Sequence, residues 1–279
     1  MNNQPLNCHI QPNTPFGAIL TPQHPGQKIG ELPVAALRAL AQEHHLLVLR
    51  GFDSGFSDGE VLTRYAEQWG EIMMWPFGAV LDVKEHPDAK DHIFDSSYVP
   101  LHWDGMYKPT IPEFQLFHCV AAPSPDEGGC TTFVDTTRLL TNADEALLDQ
   151  WLSVSITYRI KQVVHYGGEV CSPLVVQHPN GRGLIMRYNE PPTEGKNSSI
   201  NMRWNITVCR NNSRNSSTTL CSSICTIRVT IMPISGNRAT WWWRTTSRCC
   251  TAARALPPVP RVICSACIFK AIRCAPIWR

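Results

Sequence analysis

Residues 98–107 contain the side chains best suited to metal chemistry. The sequence there is Tyr-Val-Pro-Leu-His-Trp-Asp-Gly-Met-Tyr, so His102 and Asp104 are two positions apart. Successive side chains of a strand point to opposite faces, and an extended backbone would therefore direct both residues to one side. An imidazole and a carboxylate supply two ligands of a 2-His-1-carboxylate iron site, which leaves coordination positions open. An isolated His-x-Asp pair is more often a hydrogen-bonded strand end, so the surrounding sequence has to decide between the two interpretations.

The elements expected to position this pair are short strands with a few helices. Apolar residues recur at helical intervals in 31–42, in 57–69 and in the segment that begins at Asn142. Strand composition, bounded by prolines and turn residues, is found in 46–49, 113–120, 174–177 and 184–188. The last two strands are separated by a Pro-Asn-Gly turn, which is typical of a hairpin. The sequence therefore predicts an α+β domain that is mainly β.

Several motifs follow one another in the order found in a known enzyme family. They are 46–52, 65–71, the His102-Trp103-Asp104 motif, 128–133 and 178–182. Together they resemble the TauD/TfdA family of Fe(II)/2-oxoglutarate-dependent dioxygenases, from about residue 16 to about residue 201. Cys130 departs from the pattern, because the family more usually has Asp at this position of its Gly-Gly-Asp-Thr stretch.

The resemblance implies a fold and a set of site residues. The family fold is a double-stranded β-helix, a jelly roll with flanking helices. His102 and Asp104 match the first two iron ligands, and Thr131 matches the residue that hydrogen-bonds 2-oxoglutarate. Fe(II) would be the cofactor and 2-oxoglutarate the co-substrate, with O2 and a small-molecule substrate as the other partners. Tyr98 and Tyr107 flank the iron motif, where they would contact an aromatic substrate or have an ordinary packing role.

Three further segments indicate a branch of the family. Residues 75–80, 91–94 and 190–192 are most similar to the PvcB-like enzymes of isonitrile biosynthesis. That similarity implies oxidation of an aromatic 2-isocyano acid, derived from an amino acid, in secondary metabolism of the paerucumarin type. A related oxygenase that acts on another amino acid or on a sulfonate is the first alternative.

One iron ligand is missing from the pattern. The family has a distal His, followed by an Arg that binds the carboxylate of 2-oxoglutarate, but this chain has no His after His178. His165 and His178 are the remaining candidates, and in the family pattern His178 belongs to a turn. Three explanations are open: a different metal centre, a degenerate relative, or a shifted reading frame.

The genetic code favours the shifted frame. Trp has a single codon, so the Trp run 241–243 fixes nine bases. In a reading frame that starts one base earlier, these bases encode Leu, Val or Met followed by Val-Val. In that same frame, the codons of residues 249–252 can encode Leu-His-Gly, and those of residues 261–268 can encode Arg-His-Leu-Gln-Arg-Val-His. These strings resemble the distal-ligand segment and the Arg-bearing final strand of the family.

The balance of basic and acidic residues changes near residue 201, where the family resemblance ends. Residues 1–201 contain 13 Lys and Arg and all 23 Asp and Glu, whereas residues 202–279 contain eleven Arg, one Lys and no acidic residue. We therefore predict an incomplete dioxygenase domain at 1–201 and a non-family tail at 202–279, frameshifted and poorly structured. The C-terminal strands of the jelly roll would be missing or replaced by this out-of-frame tail, and the chain as written would be inactive.

The basic tail leaves an alternative from another class of protein. Arg with interleaved Trp in 202–279 is compatible with a nucleic-acid-binding tail on a non-catalytic protein. The tail lacks helical periodicity and a recognisable fold, so we expect no nucleic-acid partner.

Neither a signal peptide nor an apolar stretch of about eighteen residues is apparent, which predicts a cytoplasmic protein without a membrane partner. The oligomeric state stays open.

Overall fold

The computed structural model describes most of the chain before residue 190 and five strands after it. The described residues are 5–84, 99–107, 112–121, 131–160, 168–178, 183–189, 205–210, 232–234, 240–245, 249–253 and 263–270. In the five ranges after residue 201 the description covers the backbone. Within the described ranges, no helix is long and apolar enough to cross a membrane.

Four α-helices occur in the described residues. They are Val34–His44 (α1), Gly59–Ala66 (α2), Thr136–Thr141 (α3) and Glu145–Leu152 (α4). Aspartates cap three of them: Asp58 accepts from the backbone N–H groups of Glu60 and Val61, and Asp135 and Asp144 do the same for α3 and α4. A carboxylate at this position satisfies backbone donors that have no partner within the helix.

Sixteen strands dominate the described residues. They are Cys8–Pro12 (β1), Ala18–Pro22 (β2), Leu46–Arg50 (β3), Val80–Lys84 (β4), Val99–His102 (β5), Pro112–Ala121 (β6), Thr131–Asp135 (β7), Val154–Ile160 (β8), Gly168–Pro173 (β9), Val175–Gln177 (β10), Leu184–Met186 (β11), Asn205–Arg210 (β12), Met232–Ile234 (β13), Thr240–Thr245 (β14), Cys249–Ala253 (β15) and Ile263–Lys270 (β16). All pairings are antiparallel except that of β2 with β3.

The strands form two principal sheets. The larger has seven strands in the order β1-β2-β3-β14-β6-β16-β4, and the smaller has four in the order β13-β7-β15-β5. Strands β12, β8 and β9 form a third sheet, and β10 with β11 forms the hairpin that the sequence predicted. The order within each principal sheet departs from chain order, because late strands lie between early ones, as in a jelly roll.

Strand β3, which contains the apolar run 46–49, is buried on both faces. Leu47 and Leu49 pack with the helices and with Phe114 of β6, whereas Leu46 and Val48 pack against Phe133 of β7. Because alternate residues of a strand face opposite sides, the second contact is made across the space between the two principal sheets. The site-bearing strands β5 and β7 thus belong to a sheet whose inner face is packed on the larger one.

The backbone after residue 201 takes part in these sheets. β14 pairs with β3 and β6, β15 with β7 and β5, and β16 with β6 and β4. The division of the chain at residue 201 into a family domain and a non-family tail stays a prediction.

Candidate metal centre

The structure brings His102 and Asp104 together at the end of β5. The strand ends at His102 and the chain turns through Asp104. The two residues therefore converge across a strand end, and the expectation that one extended strand holds both is wrong. The imidazole Nε2 lies 3.3 Å from Asp104 Oδ1, and the two side chains are 31% and 19% exposed. Both groups are therefore partly shielded from water and partly accessible to a ligand.

The sheet register places Thr131 on the same face as His102. His102 pairs with Thr251 of β15, which pairs with Phe133 of β7, and Thr131 lies two residues before Phe133. Residues directly opposite in an antiparallel sheet share a face, as do residues two apart along a strand. Two strand spacings of about 4.8 Å separate β5 from β7, so the face that His102 and Thr131 share spans about 10 Å between these two strands.

Tyr107 lies in the turn that follows Asp104. It is partly buried against the cluster that contains Trp103 and Met106. Burial raises the pKa of the Tyr107 phenol well above its ordinary value, because desolvation disfavours the phenolate. The hydroxyl is thus protonated at neutral pH and is a hydrogen-bond donor. Tyr98 lies outside the described residues.

The other histidines that the structure describes do not join this pair. Among the residues whose side chains the structure describes, no third His, Cys, Asp or Glu completes a metal-binding group. His178 is buried at the hairpin, where its backbone N–H donates to the carbonyl of Gly183 at 2.8 Å. His118 is buried on β6, where its ring meets that of Phe56 edge to face. His165 lies outside the described residues.

A group of buried residues behind the metal motif escaped the sequence analysis. Trp103 is 4% exposed, and its backbone N–H donates to Oδ1 of Asn189 at 3.1 Å. The guanidinium carbon of Arg187 lies 5.3 Å from the centroid of the Trp103 ring. Tyr158 is fully buried in the same cluster. The available signal was weak: β8 alternates apolar and polar residues at Val154, Ser155 and Ile156, which is typical of a strand.

The donor set of the pair is suited to ferrous iron. Imidazole nitrogen and carboxylate oxygen are the ligand types of non-haem Fe(II) sites, and two such groups leave coordination positions for other ligands. A model of the taurine catabolism dioxygenase TauD, TfdA family matches residues 9–214, which is well over half of the chain. The chain belongs to the TauD, TfdA family. The resemblance seen in the ordered motifs is thereby confirmed.

Relatives within the family act on isonitriles, according to their names. The chain is 50% identical over 192 residues to a tyrosine isonitrile desaturase of Pseudomonas aeruginosa, covering 68% of this chain and 65% of the relative. It is 47% identical over 186 residues to a tyrosine isonitrile desaturase of Erwinia amylovora, with 67% and 63% covered. A 3-((Z)-2-isocyanoethenyl)-1H-indole synthase of Fischerella ambigua is 38% identical over 188 residues, with 67% and 68% covered. The chain spans just under two thirds of the length of the first two relatives.

Solved structures confirm the family fold. PvcB, described as an Fe, alpha-ketoglutarate dependent oxygenase from an isonitrile synthetic pathway, superposes with a TM-score of 0.75 at 33% identity. That superposition covers 97% of this chain and 94% of PvcB. A taurine dioxygenase from Burkholderia xenovorans superposes with a TM-score of 0.69 at 13% identity, covering 95% and 91%, which shows the fold alone. The prediction of a mainly β jelly roll with flanking helices is correct.

Proposed function

We propose that this chain carries the domain of an Fe(II)/2-oxoglutarate-dependent oxygenase that oxidises an aromatic 2-isocyano acid derived from an amino acid. The observation that carries the proposal is the convergence of His102 and Asp104, 3.3 Å apart, on the sheet face that also includes Thr131. The names of the relatives support the substrate class, since two are tyrosine isonitrile desaturases and one forms an isocyanoethenyl indole.

Each site residue has a separate task in this proposal. Nε2 of His102 and a carboxylate oxygen of Asp104 would hold the iron. The Thr131 hydroxyl would hydrogen-bond 2-oxoglutarate, and the neutral Tyr107 phenol would contact the aromatic ring or donate a hydrogen bond to the substrate. The apolar cluster around Trp103 would keep water from the reacting groups.

His102 and Asp104 would hold an iron ion, whose chemistry would be to couple oxidation of 2-oxoglutarate by O2 to removal of two hydrogens from the substrate. In that overall balance 2-oxoglutarate yields succinate and CO2. One oxygen atom of O2 enters succinate, and the other leaves as water with the two hydrogens. The protein's contribution is to orient the substrate next to the His102 side of the sheet and to hold the ligands in place.

The missing ligand and the tail are part of the same proposal. The alternative reading frame permits His at the codon that straddles residues 250 and 251, and the backbone of Thr251 pairs with His102. A His in this row would face the same side of the sheet as His102. The alignments with the three relatives named above are 186 to 192 residues long, close to the length of 1–201. Both observations support a frame change near residues 201–204 and an inactive chain as written.

The test compares the chain as given with its frame-corrected form. Each is supplied with Fe(II), 2-oxoglutarate and O2, and succinate is measured with a tyrosine-derived 2-isocyano acid, its tryptophan-derived analogue or taurine. We expect the corrected form to turn over the aromatic isocyano acids only, and His102→Ala to abolish turnover. Preferential oxidation of taurine would overturn the substrate class. A corrected protein inert towards all three, or turnover by the uncorrected chain, would overturn the proposal for the site.

A further inference from the structure

Asn189 lies at the centre of a buried hydrogen-bond network behind the metal motif. It is 5% exposed and follows β11 by three residues. Its Oδ1 accepts from the backbone N–H of Trp103 at 3.1 Å, and its Nδ2 donates to Met106 Sδ at 3.5 Å. The side chain thus contacts the chain on both sides of Asp104.

Asn189 is itself held in place by Tyr158. The backbone N–H of Asn189 donates to the Tyr158 hydroxyl at 3.1 Å, and that hydroxyl donates to the carbonyl oxygen of Arg187 at 3.4 Å. Tyr158 lies on β8 and is completely buried. The segment 187–189 is therefore attached to β8, which belongs to the sheet of β12, β8 and β9. This attachment holds the Asn189 side chain in a fixed position next to the metal motif.

The bond to Trp103 acts at a place where the sheet no longer fixes the backbone. β5 ends at His102, and the N–H of Trp103 belongs to the peptide that joins His102 to Trp103. Rotation of that peptide would change the direction of the His102 side chain relative to Asp104. Asn189 supplies the acceptor that a neighbouring strand would otherwise provide.

We propose that Asn189 is a positioning residue that fixes the peptide between the two metal-binding side chains, with Tyr158 holding Asn189. The inference rests on the proposed function, since it concerns the iron site named there. Residues that orient metal ligands typically affect metal affinity by about 10–100-fold when they are removed. Asn189 would act in this way through the backbone of Trp103, without contacting the metal.

The test uses the full chain as it exists and Co(II) as the probe. Co(II) affinity and the visible absorption of the bound ion are measured for the parent, Asn189→Leu and Asn189→Asp, together with the thermal unfolding midpoint without metal. Asn142→Leu is the matched control, because Asn142 is exposed at the end of α3. We expect Asn189→Leu to lower the affinity by about 10–100-fold and to alter the spectrum. Asn189→Asp keeps the acceptor oxygen and should keep the parent spectrum, and Asn142→Leu should change neither property.

The outcomes separate this inference from the proposed function. Parent affinity and spectrum in a folded Asn189→Leu would overturn the inference and leave the metal site standing. Equal Co(II) binding by the parent and His102→Ala would overturn the metal site, and the inference with it. If Asn189→Leu does not fold, Tyr158→Phe tests the inference in its place, because this variant removes one hydroxyl and keeps the ring. A folded Tyr158→Phe with faster exchange of the Trp103 amide and weaker Co(II) binding supports the inference, and parent behaviour overturns it.

Discussion

Acid should destabilise this fold through His118, which lies in the core and outside the site. The residue is 9% exposed on β6, and its ring meets that of Phe56 edge to face at 6.1 Å. Burial lowers the pKa of His118 from its ordinary 6.5 to about 4, because the charged imidazolium would lose its hydration. Between these values the unfolded chain binds a proton that the folded chain does not. The stability that the neutral His118 contributes is therefore fully present above pH 6.5 and is lost as the pH falls towards 4.

The size of this loss follows from the two pKa values. A tenfold difference in proton affinity is worth about 1.4 kcal/mol, so the full effect is about 3 kcal/mol, of which about 2 kcal/mol falls between pH 7 and pH 5. Urea unfolding of the parent and of His118→Leu at both pH values measures it. The free energy of unfolding of the parent should fall by about 2 kcal/mol more than that of the variant. Equal pH dependence in the two proteins would refute the reasoning.

Two further predictions concern the packing that supports the site. Phe133→Ala should lower the free energy of unfolding by about 3–5 kcal/mol, because Phe133 fills the space between the two principal sheets. Met74→Ala should change it by less than about 0.5 kcal/mol, since Met74 is 63% exposed, and a similar loss in both variants would contradict the packing argument. Asp135→Ala should cost about 1 kcal/mol for the cap of α3 and about 1–3 kcal/mol for the buried 2.7 Å contact with His45 Nδ1. Asp135→Asn should lower the free energy of unfolding in urea by less than Asp135→Ala does, because it keeps an oxygen for the cap.

Local patterns in the sequence predicted much of the fold. The apolar run of β3, the strand composition of β6 and the Pro-Asn-Gly turn between β10 and β11 each depend on residues that are close in sequence. Helix starts were less certain, because several cap-forming residues compete. Asn142 was expected to begin a helix, but it terminates α3, and Asp144 caps α4 by accepting from the N–H of Leu147 at 2.8 Å.

Contacts between distant residues could not be predicted in this way. Trp103 and Asn189 are 86 positions apart, and nothing in either local sequence indicates their hydrogen bond. The insertion of β14 between β3 and β6 is equally non-local. His102 and Asp104 were found from their spacing, and Thr131 from the family motif. The roles of all three residues stay predictions.

Ferrous iron binding by two single substitutions tests the central claim most directly. Position 251 lies in the row of His102 and Phe133, whereas position 250 lies in the adjacent row, which belongs to the opposite face. Anaerobic Fe(II) titration of the parent, Thr251→His and Cys250→His therefore compares a restored third ligand with a matched control. We predict that Thr251→His tightens Fe(II) binding by at least about tenfold, that Cys250→His does not, and that adding His102→Ala removes the gain. Equal binding by the parent and both variants, or tight binding by the parent itself, would contradict the account.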